Sequence, residues 1–248
     1  MDKTLRNKWF EDWFNSPYYH ILYKQRNFKE AELFIDNLIE YLHPKENARF
    51  LDLGCGKGRH SVYLNKKHFE VTGFDLSPQS IEYAKQFENE SLHFYVQDMR
   101  EPFHCGSFDY IVNMFTSFGY FENEAENYAT IDAVSNALNT KGIFVLDFLN
   151  VEKVIPALVA HQSITMDDIE FNIYKKFENN FIVKQISFND NGKEYNFEEK
   201  VSALKLTDFE KYFTTGNLKI LDIKGDYMMN DFNLITSDRL ILIVQKVK

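Results

Sequence analysis

The sequence predicts an α/β fold: a mostly parallel sheet with helices on both faces, carrying a small antiparallel insert. Three observations predict it. Strand-like and helix-like stretches alternate from about residue 48 to 150, and the strands are almost continuously apolar, as in parallel sheets covered on both faces. From about residue 160 to 205 the rhythm changes to alternating runs separated by "ENN" and "NDNG", which are hairpin turn signals. Between the first strand and its helix, "RFLDLGCGKGRHSVYL" places three of the chain's ten glycines within five positions.

The chain has 248 residues, 44% hydrophobic and 26% charged, enough for one domain with a large core. Residues 1–47 read as a helical cap. "KWFEDWFNSPYYHILY" is rich in aromatic residues and breaks into short helices at Ser16-Pro17. "NFKEAELFIDNLIEYL" places Ala31, Phe34, Ile35, Leu38, Ile39 and Leu42 on one helical face, and His43-Pro44 ends it. The core, 48–150, follows. "RFLDLG" is a strand and "RHSVYLNKKHF" a helix. "EVTGFDL" is a strand, and "SPQSIEYAKQFENE" a helix capped by Ser77 with Pro78 in its first position. "LHFYVQDM" and "FDYIVNMF" are strands. "NEAENYATIDAVSNALNTKG" is a helix with Asn123 and Glu126 as a capping box and Gly142 past its end. "IFVLDFLN" is the fifth strand. The insert, 160–205, holds three alternating runs, and residues 206–248 close the chain. There "TDFEKYFTTGN" is a helix with Thr207 as cap, and "LKILDIKGDYMM" and "DRLILIVQKVK" form a hairpin.

The formal net charge is −9, with Lys and Arg scattered, so an extended nucleic-acid footprint is disfavoured. No run reaches the 18 apolar residues of a membrane span, and "MDKTLRNKWFEDWF" has no apolar signal core. Two cysteines, Cys55 and Cys105, make no disulfide framework. A cytoplasmic location is expected. The seven histidines are dispersed, and His104-Cys105 has no ligand partner at metal spacing, so no metal is expected.

The glycines point to a ligand. In alternating strand–helix folds ligands bind at the carboxyl ends of strands. Gly54 and Gly56 would let backbone N–H groups touch it, and Gly58 would let the next helix pack close. The spacing is G-x-G-x-G rather than the G-x-G-x-x-G of dinucleotide sites. Asp75 ends the second strand, nineteen residues after Gly56, where a carboxylate can accept both ribose hydroxyls. Asp98 ends the third, where it suits an adenine amine, with Leu76 and Met99 placed to sandwich the ring. With Asp52, three carboxylates stand at one end of three neighbouring strands. They would repel a pyrophosphate and favour a ligand carrying an ammonium and a sulfonium.

"FLDLGCGKGRHS", "VTGFDLSPQSIEYAK", "HFYVQDMRE" and "SFDYIVNMFTSFGYF" resemble, in order, the motifs of class I S-adenosylmethionine (SAM)-dependent methyltransferases. The resemblance covers about residues 48 to 150 and the closing segment. It implies a Rossmann-like seven-stranded sheet of order 3-2-1-4-5-7-6 with the last strand antiparallel. The insert looks like the β lid of small-molecule members. The resemblance places Gly54, Cys55 and Gly56 under the methionine part of the cofactor and Asp52 behind the loop, near the amino group. It sets Asp75 at the ribose and Leu76 beside the adenine, with Gln97, Asp98 and Met99 around that base. Asn113, Met114 and Phe115 come near the methyl group, Arg59 opens the helix behind the glycines, and Tyr19 or Tyr23 reaches in from the cap.

The reaction implied is direct methyl transfer to a small-molecule N or O acceptor, giving S-adenosylhomocysteine (SAH). A base is needed only for a hydroxyl or a protonated amine. Tyr18, Tyr19, His20, Tyr120, Asp147 and Asn150 are candidates, and none is assigned. Two alternatives stay open: methylation of protein or RNA, and a nucleoside-binding or dinucleotide-binding protein of another class. "NMFTSF" lacks the N/D-P-P-Y sequence of amino-methylating nucleic-acid enzymes, which with the acidic charge favours a small acceptor. Acceptor identity and oligomeric state are not legible.

Overall fold

A computed structural model describes residues 9–24, 28–103, 107–121 and 123–247. The parallel core alternates as the apolar runs require. Its elements are β1 (Arg49–Leu53), α4 (Arg59–Lys66), β2 (Glu70–Asp75), α5 (Pro78–Ala84), β3 (Leu92–Val96), β4 (Phe108–Asn113), α6 (Glu124–Ala137) and β5 (Leu138–Leu149). Three helices precede it: α1 (Trp9–Phe14), α2 (Pro17–Leu22) and α3 (Phe28–Leu42). The closing segment is α8 (Leu206–Thr215), β10 (Leu218–Lys224) and β11 (Arg239–Lys246). The main sheet runs β10-β11-β5-β4-β1-β2-β3. β1 to β5 pair in parallel, and β11 lies antiparallel between β5 and β10. Counted as seven strands this is 3-2-1-4-5-7-6, as the motifs implied.

Helices cover both faces of this sheet. Phe34, Ile35 and Leu38 of α3, Leu64 of α4 and Ile81 of α5 fill one side against Phe50, Val71 and Phe94. Ile131 and Val134 of α6 and Phe209 and Phe213 of α8 fill the other, against Leu51, Phe144 and Leu146. Ser77 caps α5, its side chain accepting from the Ser80 N–H at 3.1 Å. Asn123 and Glu126 form the capping box of α6.

Between β5 and α8 lie a short helix α7 (Val151–Val154) and a four-stranded antiparallel sheet: β6 (His161–Met166), β7 (Ile169–Glu178), β8 (Phe181–Asp190) and β9 (Lys193–Ser202). Each hairpin turn has two residues at positive φ: Asp167-Asp168, Asn179-Asn180 and Asn191-Gly192, the type that matches strand twist. One face of this sheet meets α1 and α2. Trp13, Leu22, Phe171, Ile173, Ile186 and Phe188 make a third core there.

Three expectations are corrected. The insert has four strands, not three. β6 is an edge strand that is nowhere fully buried, and its first three residues are all polar, so the apolar signal of "HQSITM" is weak. Gly142 does not end α6, because the helix stops at Ala137 and the chain enters β5 directly. Thr207 does not cap α8. The cap is Lys205, whose N–H is accepted by the Asp208 carboxylate at 2.9 Å.

Candidate functional site

The chain leaves β1 at Leu53 and turns through Gly54 (φ +82°), Gly56 (φ +54°) and Gly58 (φ +82°), a region that glycine enters without steric cost. A Cβ on Gly58 would meet the Phe94 ring at 2.7 Å, and one on Gly54 would meet Ser117 Cβ at 2.7 Å. A Cβ on Gly56 would meet nothing within 4 Å. Close packing therefore explains Gly54 and Gly58, and Gly56 keeps an open space clear.

The loop's N–H groups are turned inward. Gly54 and Cys55 N–H both donate to the Phe74 carbonyl at 2.8 Å, and Gly58 N–H donates to the Cys55 carbonyl at 2.9 Å. Gly56 N–H donates to Asp75 Oδ2 at 2.8 Å. The expectation of bare N–H donors is thus corrected: with those four groups engaged, the loop favours a cation over a phosphate.

Asp75 also accepts from the Ser77 N–H at 2.8 Å, so it ties the glycine loop to the start of α5. Burial pushes its carboxyl up despite these bonds. Asp52 lies beneath the loop, 1% exposed, and accepts from Ser61 Oγ at 2.6 Å. Burial raises its carboxyl to about 6. Asp98 is held at both oxygens by Arg100, Nε to Oδ1 at 2.9 Å and Nη2 to Oδ2 at 2.7 Å. Arg100 also pairs with Glu126 and lies over the Phe121 ring. Asp98, expected beside an adenine amine, is therefore already shared with Arg100, whose backbone N–H also donates to Oδ1 at 2.9 Å.

Gly54, Cys55, Gly56, Asp75, Asp98 and Arg100 line one cavity of about 760 Å³, within the ~300–1,000 Å³ typical of small-ligand sites. Gly54, Cys55, Gly56 and Arg59 form its floor, and Asp75, Leu76, Gln97, Asp98 and Met99 one wall. Met114 and Phe115 line it from the segment after β4, and Tyr19 and Tyr23 from the cap. Two expected residues are not on the wall. Asp52 is under the floor, and buried Asn113 donates Nδ2 to the Leu53 carbonyl at 2.7 Å, which joins β4 to the glycine loop instead.

Of the candidate bases, Tyr19, His20 and Tyr120 line the cavity. Burial, with Lys57 nearby, pushes the His20 imidazole down to about 4, so it is neutral near pH 7. Tyr18 instead donates to Asp190 at 2.8 Å. Asn150 caps α7, and Asp147 is fully buried in a hydrogen-bonded network. His60 also lines the cavity, stacked on Phe115 at 5.0 Å. Residues missed in the sequence include Phe14, Lys57, Thr116 and Ser117. The last two lie in the segment just beyond the carboxyl end of β4 at Asn113, which is the signal available in the sequence. No described residue of the small sheet lines the cavity; that sheet backs the cap that does. Among the described residues no cluster of His, Cys, Asp or Glu could hold a metal, and His104 and Cys105 lie outside them. No helix of the described residues is long and apolar enough to cross a membrane.

A sequence profile described as a methyltransferase domain matches residues 44–199. The chain belongs to the class I SAM-dependent methyltransferases. A SAM-dependent methyltransferase from Clostridium acetobutylicum has the same fold at a TM-score of 0.78 and 25% identity, over 92% of this chain and 95% of that one. YqeM of Bacillus subtilis, a protein named as a methyltransferase, is 38% identical over 105 residues, spanning 41% of this chain and 42% of YqeM. SAM-bound CalS10 from Micromonospora echinaspora, an amino pentose methyltransferase, shares the fold. Its TM-score is 0.72 at 18% identity, covering 93% of this chain and 97% of CalS10. The inward N–H groups, the open Gly56 face and the acids of this methyltransferase fit a cationic nucleoside donor.

Proposed function

We propose that this enzyme methylates nitrogen or oxygen on a small-molecule acceptor. The observation that carries the reading is continuity: one cavity runs from the glycine loop to the aromatic cap formed by Phe14, Tyr19 and Tyr23. A nucleoside on the loop and a second small molecule beneath the cap would share it. CalS10, the amino pentose methyltransferase of the same fold, supports this choice of acceptor class, and so does the net charge of −9. A cytoplasmic location accompanies the reading.

Bound here, SAM supplies a sulfonium methyl already activated for displacement. The residues then bind, orient and exclude water. Asp75 accepts from the ribose hydroxyls, Leu76 and Met99 flank the adenine, and Gln97 and Asp98 meet its edge. Cys55 and Gly56 support the methionine part, with Arg59 at the helix start beside them. The backbone at Met114 and Phe115 faces the acceptor side. Of the candidate bases, Tyr19, His20 and Tyr120 line the cavity and none is assigned; a His20 imidazole pushed down to about 4 is a weak proton acceptor.

The test is incubation of the purified protein with methyl-labelled SAM and, separately, a metabolite extract, total RNA and total protein, followed by mass spectrometry. Label is expected in a small molecule of the extract. Label in RNA or protein alone would overturn the small-molecule reading.

A further inference from the structure

Two consecutive residues beyond β4, Phe115 (φ +57°) and Thr116 (φ +62°), hold left-handed backbone. Most other non-glycine residues at positive φ are Asn, Asp or His in turns, which tolerate it. Thr is β-branched, and there the conformation is a genuine outlier. Such strain persists only where the surroundings over-determine it.

Here they do so from two sides. Asp147, 0% exposed on β5, accepts from the Phe115 N–H with Oδ2 at 2.7 Å, and its backbone carbonyl accepts from the Thr116 N–H at 3.1 Å. Arg239 of β11 donates Nε to Asp147 Oδ1 at 2.7 Å and Nη2 to Thr116 Oγ1 at 2.9 Å. Tyr227 adds its hydroxyl to Oδ2 at 3.2 Å. On the other side, Ser117 donates to the Met114 carbonyl at 2.9 Å and packs into the space that Gly54 leaves by lacking a Cβ. Thr116 and the Phe115 ring are thereby set on the cavity wall, with Arg59 4.4 Å from the ring centre. Glycine at either position would remove the strain. This chain keeps side chains there and holds them with an ion pair whose carboxylate is buried and whose arginine is partly exposed.

We propose that the Asp147–Arg239 pair is a positioning device, which presets the Phe115–Thr116 turn so that the nucleoside donor meets a finished wall. The proposal rests on the methyltransferase reading. Neither Asp147 nor Arg239 lines the cavity, so their effect on a ligand must pass through the turn. Preorganisation removes the ordering cost that binding would otherwise carry.

Asp147→Asn, Arg239→Gln and Thr116→Gly are to be measured in three ways: amide hydrogen exchange over residues 113–118, thermal midpoint, and calorimetric affinity for SAH. Exchange should rise in all three variants. SAH affinity should fall about tenfold in Asp147→Asn and Arg239→Gln, the scale of one lost charge-assisted hydrogen bond. Thr116→Gly should keep or raise the thermal midpoint while still losing affinity, a split that a purely structural role does not produce. Unchanged exchange in Arg239→Gln, or SAH affinity within twofold of wild type in both Arg239→Gln and Thr116→Gly, would overturn the proposal. Should Asp147→Asn fail to fold, those two variants decide. A wild-type chain that does not bind SAH overturns the cofactor assignment itself, which is distinct from variants that bind as well as wild type.

Discussion

Asp75 and Asp52 end neighbouring strands, and their surroundings give them different work. Asp75 faces the cavity with both oxygens already tied to backbone N–H groups, so its position is fixed before any ribose arrives. Asp75→Ala should weaken SAH binding by about 1.5–3 kcal/mol, the range for a hydrogen bond to a charged group. Calorimetry checks this, and unchanged affinity would refute the ribose role. Asp52 is sealed under the loop, with its folded carboxyl raised to about 6 from an ordinary 3.8. The folded chain therefore holds that proton more tightly than the unfolded chain. The stability it contributes is complete below the unfolded value and is lost as pH rises to about 6. Asp52→Asn, which can still accept from Ser61, should remove that slope and be more stable at pH 7, by an order of 2–3 kcal/mol at about 1.4 per unit. Denaturation midpoints from pH 4 to 7 would show it.

At the scale of the element, the glycine loop separates packing from binding. Gly58→Ala meets both a left-handed φ and the Phe94 ring at 2.7 Å. It should lose more stability than the ~1–2 kcal/mol of the backbone alone. Gly56→Ala meets only the backbone penalty, because its Cβ would project into open space, yet it should lose more SAH affinity per unit of stability lost. Equal affinity losses in the two variants, corrected for stability, would sink this division. The three glycines were legible from their spacing. The close packing expected at Gly58 was legible too; its partner Phe94, and the packing of Gly54 against Ser117, were not, since those residues come from other elements. The same limit explains Asp98. Its place at a strand end could be read, but Arg100's grip on both its oxygens depends on side-chain geometry that spacing does not carry.

The whole molecule places the floor of the site on one body of packing and its roof on another. The cap's Trp13 and Tyr23 donate to Glu199 of the small sheet, each at 2.6 Å, and Lys184 pairs with the same carboxylate at 2.6 Å. Lys184 holds the Glu199 carboxyl below the usual range even though it is buried. Lys184→Met would strand a buried charge, a loss of about 3–5 kcal/mol. Since the cap supplies Tyr19, His20 and Tyr23 to the cavity, SAH affinity should fall with it. A variant with normal thermal midpoint and affinity would show that the small sheet does not carry the roof.

The strand–helix order, the main sheet's class, the glycine turn and the acids near the strand ends are legible along the chain. Those follow from local periodicity and from the rule that strand ends meet ligands. That the described residues of the insert support the cap and do not line the cavity is a matter of long-range packing. So is the burial of Asp147, off the cavity wall and hydrogen-bonded to the Phe115–Thr116 turn. Both depend on which distant side chains meet: Glu199 with Trp13 and Tyr23, and Asp147 with Arg239. Hydrogen bonds between residues 92 to 186 positions apart leave no periodic trace along a chain.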